Sequence, residues 1–329
     1  MNNLEFNYQD MRVLANDGIS KAGASALANA GIEILENRVA QDHVINFINE
    51  NNVDVLLVRS ATKVRRDLID ACPSLKIIGR GGIGMDNIDV EYAIDKGIYV
   101  INTPNASSKS VAELVFGHFF SLARFLHESN RLMPLEGETH FAAMKKSFNK
   151  AYELSGKTLG VIGFGSIGKE VVKIGISLGM KIKVLTRKPK TEQLTLEFFD
   201  GQKVTFEITS TNNTDEFLKE ADFISINTPQ TTEYIIDTPQ FEKMKDGVYI
   251  VNTARGGVIN EVTLLDYIES GKVAGAALDV FENEPRPELI LLMNPSLSLS
   301  PHLGGNTVDA QEKIGIELAH QIIEIRKKL

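Results

Sequence analysis

Short apolar runs alternate with helical patterns along the whole chain, and this rhythm constrains the fold more than any other feature. A run of four to six apolar residues followed by a crossover-length segment describes a strand buried on both faces, as in parallel sheets covered by helices. Such runs lie at residues 12–15, 32–35, 53–58, 75–78 and 99–101, and again at 158–163, 181–185, 223–227, 248–252, 273–279 and 297–300. Between the two series, residues 109–132 read as one long helix, with Val111, Leu114, Val115, Phe119, Leu122 and Phe125 at helical spacing. A chain of 329 residues can build two cores. The class is therefore α/β, with two doubly wound parallel-sheet domains.

One segment breaks the rhythm. Residues 193–209 alternate with period two around Asp200-Gly201, which predicts an inserted hairpin closed by a type I′ turn. Charge and composition exclude several classes. Thirty-five Lys and Arg against 43 Asp and Glu give −8 spread through the chain, which argues against general nucleic-acid or anionic-membrane binding. No stretch approaches the roughly 18 apolar residues of a membrane span, and MNNLEFNYQD has neither the basic nor the apolar part of a signal peptide, so a cytoplasmic protein is expected. The one cysteine, Cys72, precludes an intrachain disulfide and reads as a small buried residue before Pro73. His43, His118, His127, His140 and His320 show no ligand spacing, so they read as structural or exposed and no metal is expected.

The chemistry is carried by motifs at strand ends. Gly163-Phe164-Gly165-Ser166-Ile167-Gly168 is G-x-G-x-x-G, placed directly after the strand TLGVIG and at the start of a helix. In that context the first glycine turns the chain, the second admits a pyrophosphate, the third lets helix and strand pack, and the helix N-terminus meets the anion. Twenty-three residues beyond Gly163, where an acid would bind the ribose of NAD, stands Thr186, followed by Arg187, Lys188 and Lys190. A hydroxyl and cations there lean toward the 2′-phosphate of NADP, with NAD tolerated as the alternative. Three further segments close on Asn252-Thr253-Ala254-Arg255-Gly256-Gly257, on Asp279 through Glu284-Pro285, and on Ser300-Pro301-His302-Leu303-Gly304-Gly305. Arg255, Glu284 and His302 form a chemical set. The cation orients a carboxylate and polarises a carbonyl, the imidazole moves a proton, and the acid sets the charge on the imidazole.

These motifs resemble the D-isomer-specific 2-hydroxyacid dehydrogenases from about Val53 to Gln311. The resemblance implies a flavodoxin-like substrate-binding domain at residues 1–104 and 303–329 and a Rossmann dinucleotide-binding domain at 105–302. It implies that Arg255, Glu284 and His302 are catalytic. It implies too that Thr228-Pro229, Thr253-Ala254, Asp279 and Gly304 line a nicotinamide cofactor, NAD by family and NADP on the strength of Thr186 and Arg187. Asn227 departs from the family's usual His. Within the family the likeness runs to the phosphoglycerate dehydrogenases, which open serine biosynthesis. It is carried by Arg59-Ser60 within VRSATKV, by Arg80-Gly81-Gly82 within GRGGIGMDNID, and by Asn105 within NTPN. Those enzymes imply that Arg59 and Arg80 grip a substrate phosphate, with a base contributed by a partner subunit. Here that base is Lys146, where Arg is more usual.

The implied mechanism has cofactor on the second domain, substrate reaching across from the first, and closure expelling water. Phe116, Phe119, Phe120 and Phe125 leave the 109–132 helix apolar on more than one face, and the family uses that region for a two-fold homodimer. Two other functions fit the same motifs: a glyoxylate or hydroxypyruvate reductase, and, more remotely, a nucleotide-sensing corepressor-like binding protein.

Overall fold

The computed structural model describes residues 11–329, so the reading of the first ten residues as free of a targeting signal lies outside the described residues. The chain divides into two compact units, Met1–Ser107 with Gly305–Leu329, and Ser108–Gly304.

In the first unit β1 (Arg12–Ala15), β2 (Glu33–Leu35), β3 (Val55–Val58), β4 (Ile77–Arg80) and β5 (Tyr99–Asn102) form one parallel sheet in the order β2-β1-β3-β4-β5. That is the flavodoxin-like doubly wound order. The central strands β1, β3 and β4 are largely apolar because both their faces are covered. Leu14, Leu56, Val58 and Ile78 pack with α2 (Val44–Glu50) and α3 (Arg66–Ala71) on one side. Val13, Val55, Leu57 and Ile77 pack with α1 (Lys21–Asn29) and the returning C-terminal helix α12 (Val308–Arg326) on the other. Cys72 is buried in the first of these cores, where desolvation pushes its thiol up to about 11.

The second unit carries a six-stranded parallel sheet of β6 (Thr158–Ile162), β7 (Lys181–Leu185), β10 (Phe223–Ile226), β11 (Val248–Asn252), β12 (Val273–Leu278) and β13 (Leu297–Leu299), with the hairpin strands β8 (Thr191–Glu197) and β9 (Lys203–Thr209) apart from it. The order β7-β6-β10-β11-β12-β13 is that of a Rossmann sheet whose third strand has shrunk to one parallel bridge between Leu185 and Thr211. One face packs on α5 (Ser108–Ala123) and α7 (Ser166–Ser177), where Phe119 meets Phe223 edge-on at 5.3 Å. The other face packs on α8 (Thr214–Glu220), α9 (Thr238–Lys243) and α10 (Glu261–Glu269).

Two local expectations are corrected. The single helix over 109–132 is two helices, α5 and α6 (Leu126–Ser147), broken at Phe125, whose φ of 55° and ψ of 31° are left-handed. The carbonyl of Ala123 accepts from the Tyr152 N–H at 3.0 Å, and the Phe125 ring stacks on Phe148 at 5.6 Å. These tertiary contacts offset a backbone cost of about 1–2 kcal/mol. An i, i+3 apolar pattern passes through such a break unchanged. The hairpin forms, but its turn is not type I′. The Gly201 N–H donates to Phe198 O, Phe198 N–H donates to Gln202 O, and Gly201 alone in the turn has positive φ, so Phe199-Asp200 make the turn and Gly201 the bulge.

Candidate active site

Every motif singled out in the second unit lies at the carboxyl end of a strand, the edge where doubly wound sheets bind ligands. The glycine loop leaves β6 beside the end of β10, where the chain order of the sheet reverses. Gly163 has φ +94°, and a Cβ there would stand 2.4 Å from the Asn227 carbonyl oxygen. A Cβ on Gly168 would stand 2.2 Å from the Gly163 carbonyl oxygen. Around Gly165, by contrast, the position of a Cβ is open. Ser166 and Ile167 begin α7 directly after it. Three buried polar atoms lie at the neighbouring strand ends, Asn227 Oδ1, Thr228 Oγ1 and Thr253 Oγ1, with no hydrogen-bond partner among the described residues. Buried groups of this kind normally find partners, so they fit a polar ligand laid along this edge. Pro229 is exposed next to Thr228, and Ala254 is buried next to Thr253.

Asn252, at the end of β11, turns the following residues by accepting from Ala254 N–H at 3.0 Å and donating to Arg255 O at 2.9 Å. Arg255 is half-buried. Beyond β12, Glu284 Oε1 accepts from Phe281 N–H at 3.0 Å, and Oε2 lies 2.9 Å from His302 Nδ1. A carboxylate can only accept, so Nδ1 carries the proton, and the neutral ring keeps its lone pair on Nε2. Burial opposes the charge on Glu284, but His302, the Phe281 N–H and Arg255 outweigh it and hold the carboxyl below its usual range. The three side chains thus form one electrostatic group. The segment bearing Glu284 is tied down by reciprocal bonds, Glu282 N–H to Glu261 Oε1 at 2.8 Å and Glu261 N–H to Glu282 Oε1 at 3.1 Å. Burial of Glu261 pushes its carboxyl up to about 7.

His302 has a left-handed φ of 56°, costly for a side-chain-bearing residue. The buried Asp279 holds it there. Its carbonyl accepts from His302 N–H at 2.9 Å, Oδ1 from Leu303 N–H at 2.7 Å and Ser300 Oγ–H at 2.6 Å, and Oδ2 from Gly304 N–H at 2.9 Å. Asp279, expected to line a cofactor, spends its carboxylate on this loop and is 1% exposed. His118 of α5, which the sequence reads as structural or exposed, is buried, with Nε2 2.9 Å from Ser300 Oγ and Nδ1 3.0 Å from Ser298 Oγ, partners that the sequence did not indicate. No spacing rule could have linked residues 180 positions apart.

Thr186 directly follows β7, with its hydroxyl 2.8 Å from Ser210 Oγ and 3.0 Å from Lys188 O, turned into the chain's own loop. Arg187 is exposed. In the first unit Arg59 follows β3 and Arg80 is the last residue of β4. The Arg80 guanidinium lies over Gly82, where a Cβ would stand 1.9 Å from Nη1, and a Cβ on Gly81 would stand 3.5 Å from Arg59 Cγ. Burial lowers the Arg59 pKa and Asp17 opposes that shift. Asp17 also accepts from Arg59 N–H at 2.6 Å, and Asn87 donates to Arg59 O at 2.8 Å, which fixes the loop that carries exposed Ser60. Asn105 is exposed in that unit, and Lys146 is exposed in the last turn of α6 in the other. Among the described residues no group of three His, Cys, Asp or Glu could hold a metal, and no helix is long and apolar enough to cross a membrane.

The family model for the NAD-binding domain of D-isomer-specific 2-hydroxyacid dehydrogenases matches residues 116–304, within the second unit. A hydroxypyruvate reductase of Thermotoga maritima is 44% identical over 320 residues, 95% of this chain and 97% of that protein. A D-3-phosphoglycerate dehydrogenase of Bacillus subtilis is 37% identical over 97% of this chain, which spans 57% of that protein's length. Among solved structures, a glyoxylate reductase of Paecilomyes thermophila superposes with a TM-score of 0.80 at 30% identity, covering 97% of this chain and 96% of that one. The chain therefore belongs to the D-isomer-specific 2-hydroxyacid dehydrogenases, oxidoreductases that work with a nicotinamide cofactor.

Proposed function

We propose that this dehydrogenase interconverts 3-phosphoglycerate and 3-phosphohydroxypyruvate, the reaction that opens serine biosynthesis, in the cytoplasm. The observation that carries the phosphate is the pair Arg59 and Arg80, whose side chains flank Gly81-Gly82 at adjacent strand ends. Two guanidiniums on fixed loops suit a dianion and exceed the needs of a bare hydroxy acid. Ser60, Gly81, Gly82 and Asn105 complete that role, with Lys146 supplied by a second subunit.

In the reaction, Arg255 pairs with the substrate carboxylate and polarises the C2 oxygen. Neutral His302 takes the hydroxyl proton on Nε2, and Glu284 stabilises the imidazolium that results. In the reverse direction protonated His302 returns the proton to the carbonyl oxygen. The nicotinamide, when bound, supplies hydride acceptance and donation at C2. Gly163, Gly165, Ser166, Ile167 and Gly168 would hold its pyrophosphate, and Thr228, Pro229, Thr253 and Ala254 would line it, with the unpartnered Thr228 and Thr253 hydroxyls finding partners there. Both NAD and NADP are accepted on this reading, since no carboxylate stands at Thr186.

The second reading, reduction of hydroxypyruvate or glyoxylate, is favoured by the 44% identity to the Thermotoga reductase. Steady-state assays with 3-phosphohydroxypyruvate, hydroxypyruvate and glyoxylate, each with NADH and NADPH, separate the two. The phosphorylated acid is expected to lead in kcat/KM by about tenfold to a hundredfold, the value of a charge-assisted contact. Equal or better turnover of hydroxypyruvate would hand the conclusion to the second reading.

The same reading includes a homodimer. Phe116 and Phe119 are spent in the core of their own unit, but Phe120, Leu126, Met133, Leu135 and Phe141 leave large apolar surfaces exposed along α5 and α6. Sedimentation at micromolar concentration is expected to give twice the 36.2 kDa chain mass. A monomer would remove both the dimer and the assignment of Lys146.

A further inference from the structure

The β8–β9 hairpin is the one motif that the reaction leaves unused, and it is fastened to the glycine loop by charge. Glu192 of β8 pairs with Lys169 of α7 and with Lys190 at the foot of the hairpin. Both ammonium groups lie near the ring of Phe164, the residue between the first two glycines, at 5.9 and 5.7 Å from its centre. The other foot of the hairpin locks the loop from the opposite side. Ser210 Oγ accepts from Lys190 N–H at 2.9 Å, and Ser210 N–H donates to Lys190 O at 2.9 Å. Lys190 is therefore fixed at its backbone as well as its side chain, and the closed loop presents Arg187 and Lys188 outward.

Two cations, Lys169 and Lys190, thus stand beside the glycine loop, and one carboxylate engages both of them. A phosphate added to the adenosine ribose would find Lys169 and Lys190 already paired and the charge of Glu192 close by. We propose that Glu192 is a specificity-determining residue: by holding Lys169 and Lys190 it disfavours a dinucleotide bearing a 2′-phosphate, and it leaves Arg187 as the cation that reads that phosphate. This rests on the glycine loop being the dinucleotide site.

The test uses two probes that differ by the 2′-phosphate alone, AMP and adenosine 2′,5′-bisphosphate, titrated calorimetrically into the purified protein. Glu192→Gln is expected to raise the preference for the bisphosphate about three- to tenfold while AMP affinity stays constant, and the gain should shrink in high salt. Arg187→Ala is expected to lower that preference about tenfold. Glu197→Gln removes the same charge at the far end of β8, where Glu197 pairs with Lys203 at 3.2 Å, and should leave the preference unchanged. An unchanged preference in Glu192→Gln, or an equal rise in Glu197→Gln, overturns the proposal while the dinucleotide site stands. Failure of the wild-type protein to bind AMP overturns both.

Discussion

Replacing His302 with alanine should lower kcat by at least about a hundredfold while leaving the affinity for the nicotinamide cofactor near its wild-type value. Positioned general acid–base groups contribute about 10²- to 10⁴-fold, and His302 has the geometry of one. Its Nδ1 is committed to Glu284 at 2.9 Å, which leaves Nε2 as the working nitrogen, and its ring is partly open to solvent where a substrate could reach it. The backbone around it is held by Asp279 through groups that alanine retains, so the loop should keep its shape. Loss of the ring removes the proton carrier and leaves the cofactor-facing residues in place. Equal losses in kcat and kcat/KM, with cofactor binding by fluorescence unchanged, would mark an interaction made in the transition state. Unchanged turnover would sink the assignment of His302, and a collapse of cofactor binding would show that it holds the loop instead.

The parts of this molecule that were legible in its sequence share a physical cause. Parallel strands buried on both faces are almost wholly apolar, so the fully buried β11 could be read to the residue. Glycines forced by close approach, such as Gly163 against Asn227, announce themselves because another residue would clash. What could not be read depends on contacts distant in sequence. α5 breaks from α6 at Phe125 where Phe125 stacks on Phe148 and the Ala123 carbonyl accepts from Tyr152, and nothing in the apolar spacing distinguishes Phe125 from Leu122 one turn earlier. His118 presents the sequence signature of any polar residue on an apolar helix, and only the return of β13 brings Ser298 and Ser300 to its ring. The charge of Glu192 looks like one more residue on a hairpin surface until α7 places Lys169 against it. The candidate catalytic side chains were easier to single out than the groups packed around them, because chemistry restricts residue type more narrowly than support does.

That asymmetry makes Asp279 the most instructive position to change. Asp279→Ala removes the acceptor for the Leu303 and Gly304 amides and for the Ser300 hydroxyl, all at one buried point. A hydrogen bond to a charged group contributes about 1.5–3 kcal/mol, and a buried donor left without a partner costs about 1–3 kcal/mol, though such terms do not add in full. A loss of at least about 3 kcal/mol is expected, which in a unit of this size lowers Tm by roughly 6–12 °C. The same change loosens the left-handed turn at His302, whose N–H keeps the Asp279 carbonyl while the carboxylate that fixes the two following amides is gone. The ring should then swing from Glu284, and kcat at 25 °C should fall by about tenfold or more even though the protein remains folded. Asp279→Asn keeps one oxygen as an acceptor, so it should recover part of the Tm but little of the rate, because the amide cannot accept at both of its ends. If Asp279→Ala melts early yet turns over like the wild type well below its Tm, the Asp279 network supports the sheet edge alone, and the aim of His302 must come from Glu284.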